Sequence, residues 1–139
     1  SCDETAVSII QDNELADYIR FPGTCFDMPA AYKISDIVVS AADKPEGFGR
    51  IIIESQSMER PVIASAHGGS LELIKNNYNG LLFKPKNEQD LADKIKYLLL
   101  LSQKEKKKIV KRAKKIVNKK YNIDNMCESN FKLYNSIVR

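Results

Sequence analysis

Two glutamates, Glu46 and Glu54, lie eight positions apart in the segment KPEGFGRIIIES, and a Gly-Phe-Gly turn separates them. Carboxylates accept hydrogen bonds from the hydroxyl groups of sugars, and glycines let a ligand approach the backbone closely. The three isoleucines after the turn favour a buried β-strand by local propensity, because β-branched side chains pack well on a pleated surface. The flanking elements decide whether the segment is a strand or a helix.

Continuous apolar runs lie on both sides of this segment, at residues 36–41 and 61–65, and such runs are typical of strands buried on both faces. Two neighbouring parallel strands need a crossover connection, which is usually a helix. Residues 49–58 are the segment between the runs that could supply it. We therefore predict a helix there, with tertiary context overriding the β propensity of the isoleucines.

A helix that begins at the glycine turn would form an anion site, because its first N–H groups are free and its dipole is positive at that end. Glu54 would lie roughly 7–8 Å further along the axis, about the distance from a diphosphate to the ribose of a nucleotide. Glu46 would point to the opposite side, where a sugar could bind. The pattern suggests a nucleotide-sugar site, while a glycine turn that simply opens a helix is the structural alternative.

Short apolar runs alternate with helical patterns along the rest of the chain, which indicates an α/β protein with a parallel sheet flanked by helices. We predict further strands at residues 18–21 and 80–83, and helices at 28–35, at 87–101, after a capping box formed by Ser102 and Glu105, and from about residue 124. Parallel sheets bind ligands beyond the carboxyl ends of their strands. The segments AADKPEGFG and AHGGS, which follow the two central runs, should converge at that edge.

Basic residues are concentrated in one predicted helix. Residues 104–120 contain ten Lys or Arg and one Glu, so this segment carries +9 and the rest of the chain −5 of the net charge of +4. We expect a solvated lysine face above an Ile/Val stripe packed on the sheet, with attraction to anionic lipid as the main alternative. No nucleic-acid partner is expected, because this helix has no aromatic side chain on which bases could stack.

Cysteine and histidine are too sparse to suggest a metal site or a disulfide framework. Cys2, Cys25 and Cys127 are widely spaced and odd in number, no CxxC pair occurs, and His67 is the single histidine. We therefore expect no metal site and a reducing, cytoplasmic location. His67 is expected to be a turn residue near the cleft, with direct contact to the substrate as the alternative. The longest apolar stretch, 97–101, is far too short to span a bilayer.

The ordered segment PEGFGRIIIESQSMERPVIASAHGGSLELIKNNYNGLLF resembles the signature region of family-4 glycosyltransferases, which have the GT-B fold. Their E-x7-E motif is matched by Glu46 and Glu54, and the resemblance extends over roughly residues 14–101. It implies the Rossmann-like, C-terminal half of such an enzyme. We expect a nucleotide-sugar-binding domain over residues 1–121, truncated at its N-terminus, and a C-terminal helix over 122–139.

The resemblance further implies a retaining enzyme that needs no metal ion or cofactor and uses a nucleotide-diphosphate sugar, such as a UDP- or GDP-sugar. The acceptor would be a glycan or a lipid-linked molecule, as in the synthesis of cell-envelope polysaccharide or lipopolysaccharide. An N-terminal domain would hold it, so this fragment alone is expected to be inactive. By motif position, Glu46 would contact the donor sugar and Glu54 the ribose hydroxyls. The other implied donor contacts are Gly47, Phe48, Gly49 and Arg50 at the diphosphate, the backbone of Thr24 and Cys25 at the base, and Gly68 and Gly69 along the cleft.

Some features leave alternatives open. Glu59 replaces the glycine that usually ends the motif helix and would cost on the order of 1 kcal/mol in a left-handed cap. Leu71 stands where proline is common. Arg50 is as suited to pairing with an acidic neighbour as to binding a phosphate. The alternative function is a non-catalytic α/β module whose basic surface binds anionic lipid or nucleic acid, and the helix over 104–120 could also bring the enzyme to the inner face of a membrane.

Overall fold

Three short parallel strands form the sheet in the computed structural model, which describes residues 4–138. They are β1 (Val38–Ser40), β2 (Val62–Ser65) and β3 (Leu81–Phe83), in the spatial order β1-β2-β3. Val38 pairs with Val62, and Ile63 pairs with Leu81. All residues of β2 are buried, as the continuous apolar run predicts for a central strand. The predicted strands at 36–41, 61–65 and 80–83 are confirmed.

Helices account for most of the remaining described chain. They are α1 (Glu4–Asp12), α2 (Met28–Ile34), α3 (Arg50–Ser57), α4 (Ser70–Leu73), α5 (Glu88–Leu100), α6 (Gln103–Lys120) and α7 (Ile123–Ile137). The isoleucine triplet lies in α3, which crosses from β1 to β2. The prediction of a crossover helix over 49–58 is therefore confirmed, because parallel neighbours cannot be joined by a tight turn.

The predicted strand at residues 18–21 is wrong. The N–H of Tyr18 donates to the carbonyl of Leu15 in a turn, and the chain then continues as an irregular loop. Tyr18 is 85% exposed and Phe21 is 56% exposed, so this apolar run does not enter the core. An extended segment becomes a strand only when a neighbouring strand accepts its backbone hydrogen bonds, and residues 18–21 pair with no strand of the described sheet.

The core lies on both faces of the sheet, since alternate residues of a strand point to opposite sides. One cluster combines Ile52 of α3 with Val62, Ala64, Leu73 and Ile74. The other combines Ile63 with Leu81, Phe83, Leu98 and Ile109, and so joins β2 and β3 to α5 and α6. The central strand β2 therefore packs against helices on both sides, which is the layering of an α/β domain.

The two C-terminal helices differ in burial. In α6, Ile109, Val110, Ala113 and Val117 are buried and the helix packs mainly against α3. The predicted capping box is confirmed, because Ser102 Oγ accepts from the Glu105 N–H at 3.3 Å and Glu105 Oε2 accepts from the Ser102 N–H at 3.0 Å. In α7 no described residue is buried. Within residues 4–138, no helix combines the length and apolarity needed to cross a bilayer.

Candidate functional site

Two loops meet at the carboxyl edge of the sheet, one after β1 and one after β2. The N–H of Gly69 donates to the Glu46 carbonyl at 2.8 Å. A Cβ at Gly68 would lie 2.6 Å from the same carbonyl oxygen, and Gly68 has a φ of +55°, so this close approach requires glycine. A Cβ at Gly69 would lie 2.9 Å from the carbonyl oxygens of Gly47 and Phe48. The structure thus brings together the predicted site residues of both loops.

His67, in the loop after β2, contacts the loop after β1. Its Nε2 lies 2.7 Å from the Ala42 carbonyl oxygen. Because a carbonyl can only accept, this contact requires the proton on Nε2. The Nδ1 atom and the Ser65 hydroxyl are buried without a hydrogen-bond partner, and both residues line a small cavity beside Glu46. His67 therefore sits as a turn residue at the cleft, in agreement with the expectation for its place in the fold.

The helix α3 begins at this junction with an open N-terminus. Gly49 is its N-cap, with a φ of +77°, and no side chain caps the first turn. Groups at the start of a helix carry unpaired N–H donors and partial positive charge, which suits an anion. Arg50 is 84% exposed and its Nη2 lies 3.1 Å from Glu54 Oε1. Of the two predicted roles of Arg50, the structure shows the pairing with an acidic neighbour.

Both carboxylate oxygens of Glu54 are held by neighbours. The hydroxyl of Tyr32 donates to Oε2 at 2.9 Å, while Arg50 donates to Oε1. Tyr32 lies in α2 and is only 4% exposed. Burial, followed by the hydrogen bond to the Glu54 carboxylate and its charge, raises the pKa of Tyr32 to about 12. Glu54 is therefore oriented by a buried, rigid donor.

Tyr32 is a site residue that sequence reasoning missed. The segment MPAAYKIS predicted only a short helix, and that helix is confirmed with Asp27 as its N-cap. Nothing in the local pattern distinguishes a tyrosine that packs in a core from one that reaches a carboxylate 22 positions away. One sequence feature could have indicated this role: Tyr32 carries a hydroxyl group among small apolar residues. If such a tyrosine is buried, its hydroxyl needs a hydrogen-bond partner.

Phe48 packs the glycine turn onto the C-terminal part of the chain. Its ring lies 5.9 Å from that of Tyr121, at an interplanar angle of 71°. Such an edge-to-face contact is a favourable aromatic geometry. The contact fixes the turn that holds Glu46, Gly47 and Gly49 against the end of α6.

Thr24 and Cys25 lie in the exposed loop that leads into α2. Within residues 4–138, no hydrogen bond joins either residue to the loops after β1 and β2. Their connection to the site runs through α2, which carries Tyr32. Cys25 and Cys127 are exposed free thiols, and Cys2 lies outside the described residues. The described chain contains no group of three His, Cys, Asp or Glu side chains that could hold a metal ion.

The chain matches a known family over most of its length. The model of the family described as glycosyl transferases group 1 matches residues 3–116. A solved glycosyltransferase from Rickettsia africae superposes with a TM-score of 0.91 and 36% identity, covering 98% of this chain and 36% of that one. HepE of Anabaena, solved in complex with UDP, has a TM-score of 0.91 and 26% identity over 96% of this chain and 36% of its own.

A relative of known substrate specificity is also similar. It is the N,N'-diacetylbacillosaminyl-diphospho-undecaprenol alpha-1,3-N-acetylgalactosaminyltransferase of Campylobacter jejuni, 29% identical over 121 residues, which cover 87% of this chain and 31% of the relative. The chain therefore spans about a third of the length of these relatives.

Proposed function

This chain belongs to the family of group 1 glycosyl transferases, and from that membership we propose that it is the donor-binding domain of a retaining, metal-independent family-4 glycosyltransferase. The whole protein would transfer a sugar from a nucleotide-diphosphate sugar to a glycan or a lipid-linked acceptor. Its three-stranded parallel sheet flanked by helices is the fold of the C-terminal, Rossmann-like domain of GT-B glycosyltransferases.

The proposal depends on the positions of Glu46, in the loop that leads to the N-terminus of α3, and of Glu54, within α3. The Glu46 carbonyl accepts from the Gly69 N–H, and Glu54 lies five residues beyond the Gly49 N-cap, where its carboxylate accepts from the Tyr32 hydroxyl. A donor that binds across this junction would meet a carboxylate at each end and free N–H groups between them. This order matches the sugar, diphosphate and ribose of a nucleotide-sugar.

The proposed roles of the individual residues follow from the chemistry by which the nucleoside diphosphate leaves the sugar. When the bond between sugar and diphosphate breaks, negative charge grows on the diphosphate, and oriented N–H dipoles stabilise it without reorganisation. Gly47, Phe48, Gly49 and Arg50 are the proposed diphosphate contacts, and Glu54 accepts hydrogen bonds from the ribose hydroxyls. Glu46 contacts the donor sugar. The backbone of Thr24 and Cys25 contacts the base, and Gly68 and Gly69 line the cleft.

The UDP complex of HepE supports a nucleotide-diphosphate donor. The Campylobacter relative is named for an acceptor that is linked to diphospho-undecaprenol, which supports a lipid-linked acceptor. Lysines of α6 would then assist by peripheral contact with an anionic membrane, on its cytoplasmic side.

The test is an amide NMR titration of the chain with UDP and, separately, with GDP. Millimolar nucleotide detects binding free energies as weak as about −4 kcal/mol. We expect shifts centred on residues 47–54 and 24–25 that disappear in Glu54→Gln, which keeps an acceptor for the Tyr32 hydroxyl but removes the charge. The matched control is Glu128→Gln, because Glu128 forms an exposed i,i+4 ion pair with Lys132, as Glu54 does with Arg50.

Two results would contradict the donor site. One is the absence of shifts with either nucleotide at millimolar concentration. The other is equal loss of binding in Glu54→Gln and Glu128→Gln, since that would mean only a general effect of charge.

A further inference from the structure

A cavity of about 630 Å³ opens at the amino edge of the sheet, away from the candidate donor site. Asp36, Ile37 and Pro61, which precede β1 and β2, form part of its wall. The residues of the candidate donor site follow the carboxyl ends of the same strands. Because parallel strands point in one direction, the two sites lie at opposite edges of the sheet. The volume falls in the range of about 300–1,000 Å³ that is usual for small-molecule sites.

The wall of this cavity is strongly basic. Its cationic side chains come from α2, the loop that follows α3, and α6, and they are Lys33, Arg60, Lys106, Lys107 and Lys114. Two carboxylates, Asp36 and Glu59, also line it, so the wall carries a net charge of +3. Three segments distant in sequence thus direct positive charge to one place.

Only part of this charge is neutralised by the protein. Lys114 pairs with Glu59 at 2.7 Å, and Lys106 donates to the Leu99 carbonyl at 3.2 Å. Lys33, Lys107 and Arg60 form no ion pair with any side chain that the structure describes. The hydrogen bond of Lys106 to a neutral carbonyl leaves its charge uncompensated as well, so four cations remain for an external anion.

Arg60 is the most constrained of these cations. Its Nη1 donates to the Ser35 carbonyl at 3.4 Å, a long contact, and its Nε is buried without a hydrogen-bond partner. A buried donor on a charged group without an acceptor is unfavourable, and Arg60 is one of the residues that line the cavity. The planar guanidinium is well suited to the oxygen atoms of a phosphate.

We propose that this cavity is a second anion site, which binds a phosphate or diphosphate group. Met58, Leu98, Leu99 and Val110 form an apolar wall next to the cations. The phosphate could therefore belong to a free anion or to the headgroup of a lipid. The site contains none of the proposed donor-binding residues, so this proposal can be tested independently of the proposed function.

The first experiment is an amide NMR titration of the full chain with inorganic pyrophosphate at low ionic strength, where charge interactions are least screened. We expect shifts in residues 57–60 and 103–107. Lys33→Gln combined with Lys107→Gln should weaken this binding by about tenfold or more, since it removes two charged donors. The control combines Lys104→Gln with Lys108→Gln, which removes the same charge from α6 outside the cavity wall, and it should change the affinity less than about twofold.

The proposal would be overturned if both double variants weakened pyrophosphate binding equally. It would also be overturned if the pyrophosphate shifts were confined to residues 47–50. Thermal unfolding of the two double variants verifies that these lysines can be replaced without loss of the fold. The source of the phosphate is tested by flotation with phosphatidylcholine vesicles, with and without phosphatidylglycerol. Vesicle binding that requires Lys33 and Lys107 identifies a lipid headgroup, whereas cavity shifts with pyrophosphate but no such vesicle binding identify a free anion.

Discussion

At the scale of single residues, the site depends on how one carboxylate is held. Glu54 receives a hydrogen bond from buried Tyr32 on one oxygen and from exposed Arg50 on the other. An exposed ion pair contributes little to stability, about 0–1 kcal/mol. The buried hydroxyl is therefore the partner that orients Glu54, and Arg50 remains available to move toward a ligand.

We predict that Tyr32→Phe changes the pH dependence of stability. The pKa of Tyr32 in the folded chain is about 12, above its usual value of 10.0. The folded state keeps the proton where the unfolded state has lost it, so this contribution to stability is complete below pH 10 and is lost as the pH rises toward 12. In Tyr32→Phe, the free energy of unfolding should be about 1 kcal/mol lower at neutral pH and should fall less steeply above pH 10.

Urea unfolding at a series of pH values measures both effects. The relevant quantity is the difference in slope between each variant and the wild type, because contributions common to both chains cancel in it. Tyr18→Phe is the control, because Tyr18 is 85% exposed. Identical slopes for the wild type and Tyr32→Phe would contradict the prediction.

A second residue-scale prediction concerns the contact between the two loops. Gly68→Ala places a Cβ 2.6 Å from the Glu46 carbonyl oxygen at a φ of +55°. We expect the free energy of unfolding to decrease by roughly 2–4 kcal/mol, from left-handed strain and displacement of the loop. Gly47→Ala is the matched control, since a Cβ there meets no atom within 4 Å, and it should cost less than about 0.5 kcal/mol. Chemical denaturation compares them, and equal costs would contradict the close approach.

At the scale of elements, α3 ends in a Schellman motif that lacks the usual glycine. The N–H of Arg60 donates to the Ser55 carbonyl at 2.9 Å, and the N–H of Glu59 donates to the Gln56 carbonyl at 3.2 Å. Glu59 has a φ of +57°, as expected for the left-handed residue of this motif. The hydrogen bond and charge of Lys114 lower the pKa of the Glu59 carboxyl. This pair is exposed, and it does not remove the backbone strain.

We predict that Glu59→Gly is more stable than Glu59→Ala by about 1 kcal/mol, because glycine adopts the left-handed conformation without a Cβ penalty. The comparison is informative because both variants lose the ion pair with Lys114. Urea denaturation of the two variants measures the difference. A Glu59→Ala chain as stable as Glu59→Gly would show that position 59 carries no strain.

At the scale of the whole molecule, the sheet separates two kinds of site. The carboxyl edge holds the loops with Glu46, Gly68 and Gly69, and the amino edge holds the basic cavity. The two clusters of the core connect these edges through β2. By contrast, α7 leaves large apolar side chains such as Phe131, Tyr134 and Ile137 exposed.

We predict that the division into residues 1–121 and 122–139 is also a division of stability. A chain that ends at Tyr121 should unfold within about 1 kcal/mol of the full chain, because no described residue of α7 is buried. A chain that ends at Lys115 removes the buried Val117 as well, and it should lose about 1.5–3 kcal/mol or more. Thermal and urea unfolding test both chains, and a large loss on removal of α7 alone would make that helix part of the folding unit.

The sequence by itself determined the parallel strands, the capping box and the order of the motif. Continuous β-branched runs are buried on both faces in almost any α/β context, and the Ser102 cap uses groups only three residues apart. The crossover helix could be predicted only by reasoning from its two flanking strands, since the isoleucines of α3 by themselves favour a strand.

Tertiary structure alone decided the rest. Residues 18–21 are apolar and extended in pattern, yet they have no neighbouring strand to pair with, so their local preference is not realised. Tyr32 meets Glu54, and Lys33 joins Arg60 and Lys107 at one cavity, although 22 positions separate the first pair and the second group comes from three segments. Such contacts arise from how helices pack on the sheet, and their free energy depends on distances in space that local propensity does not encode.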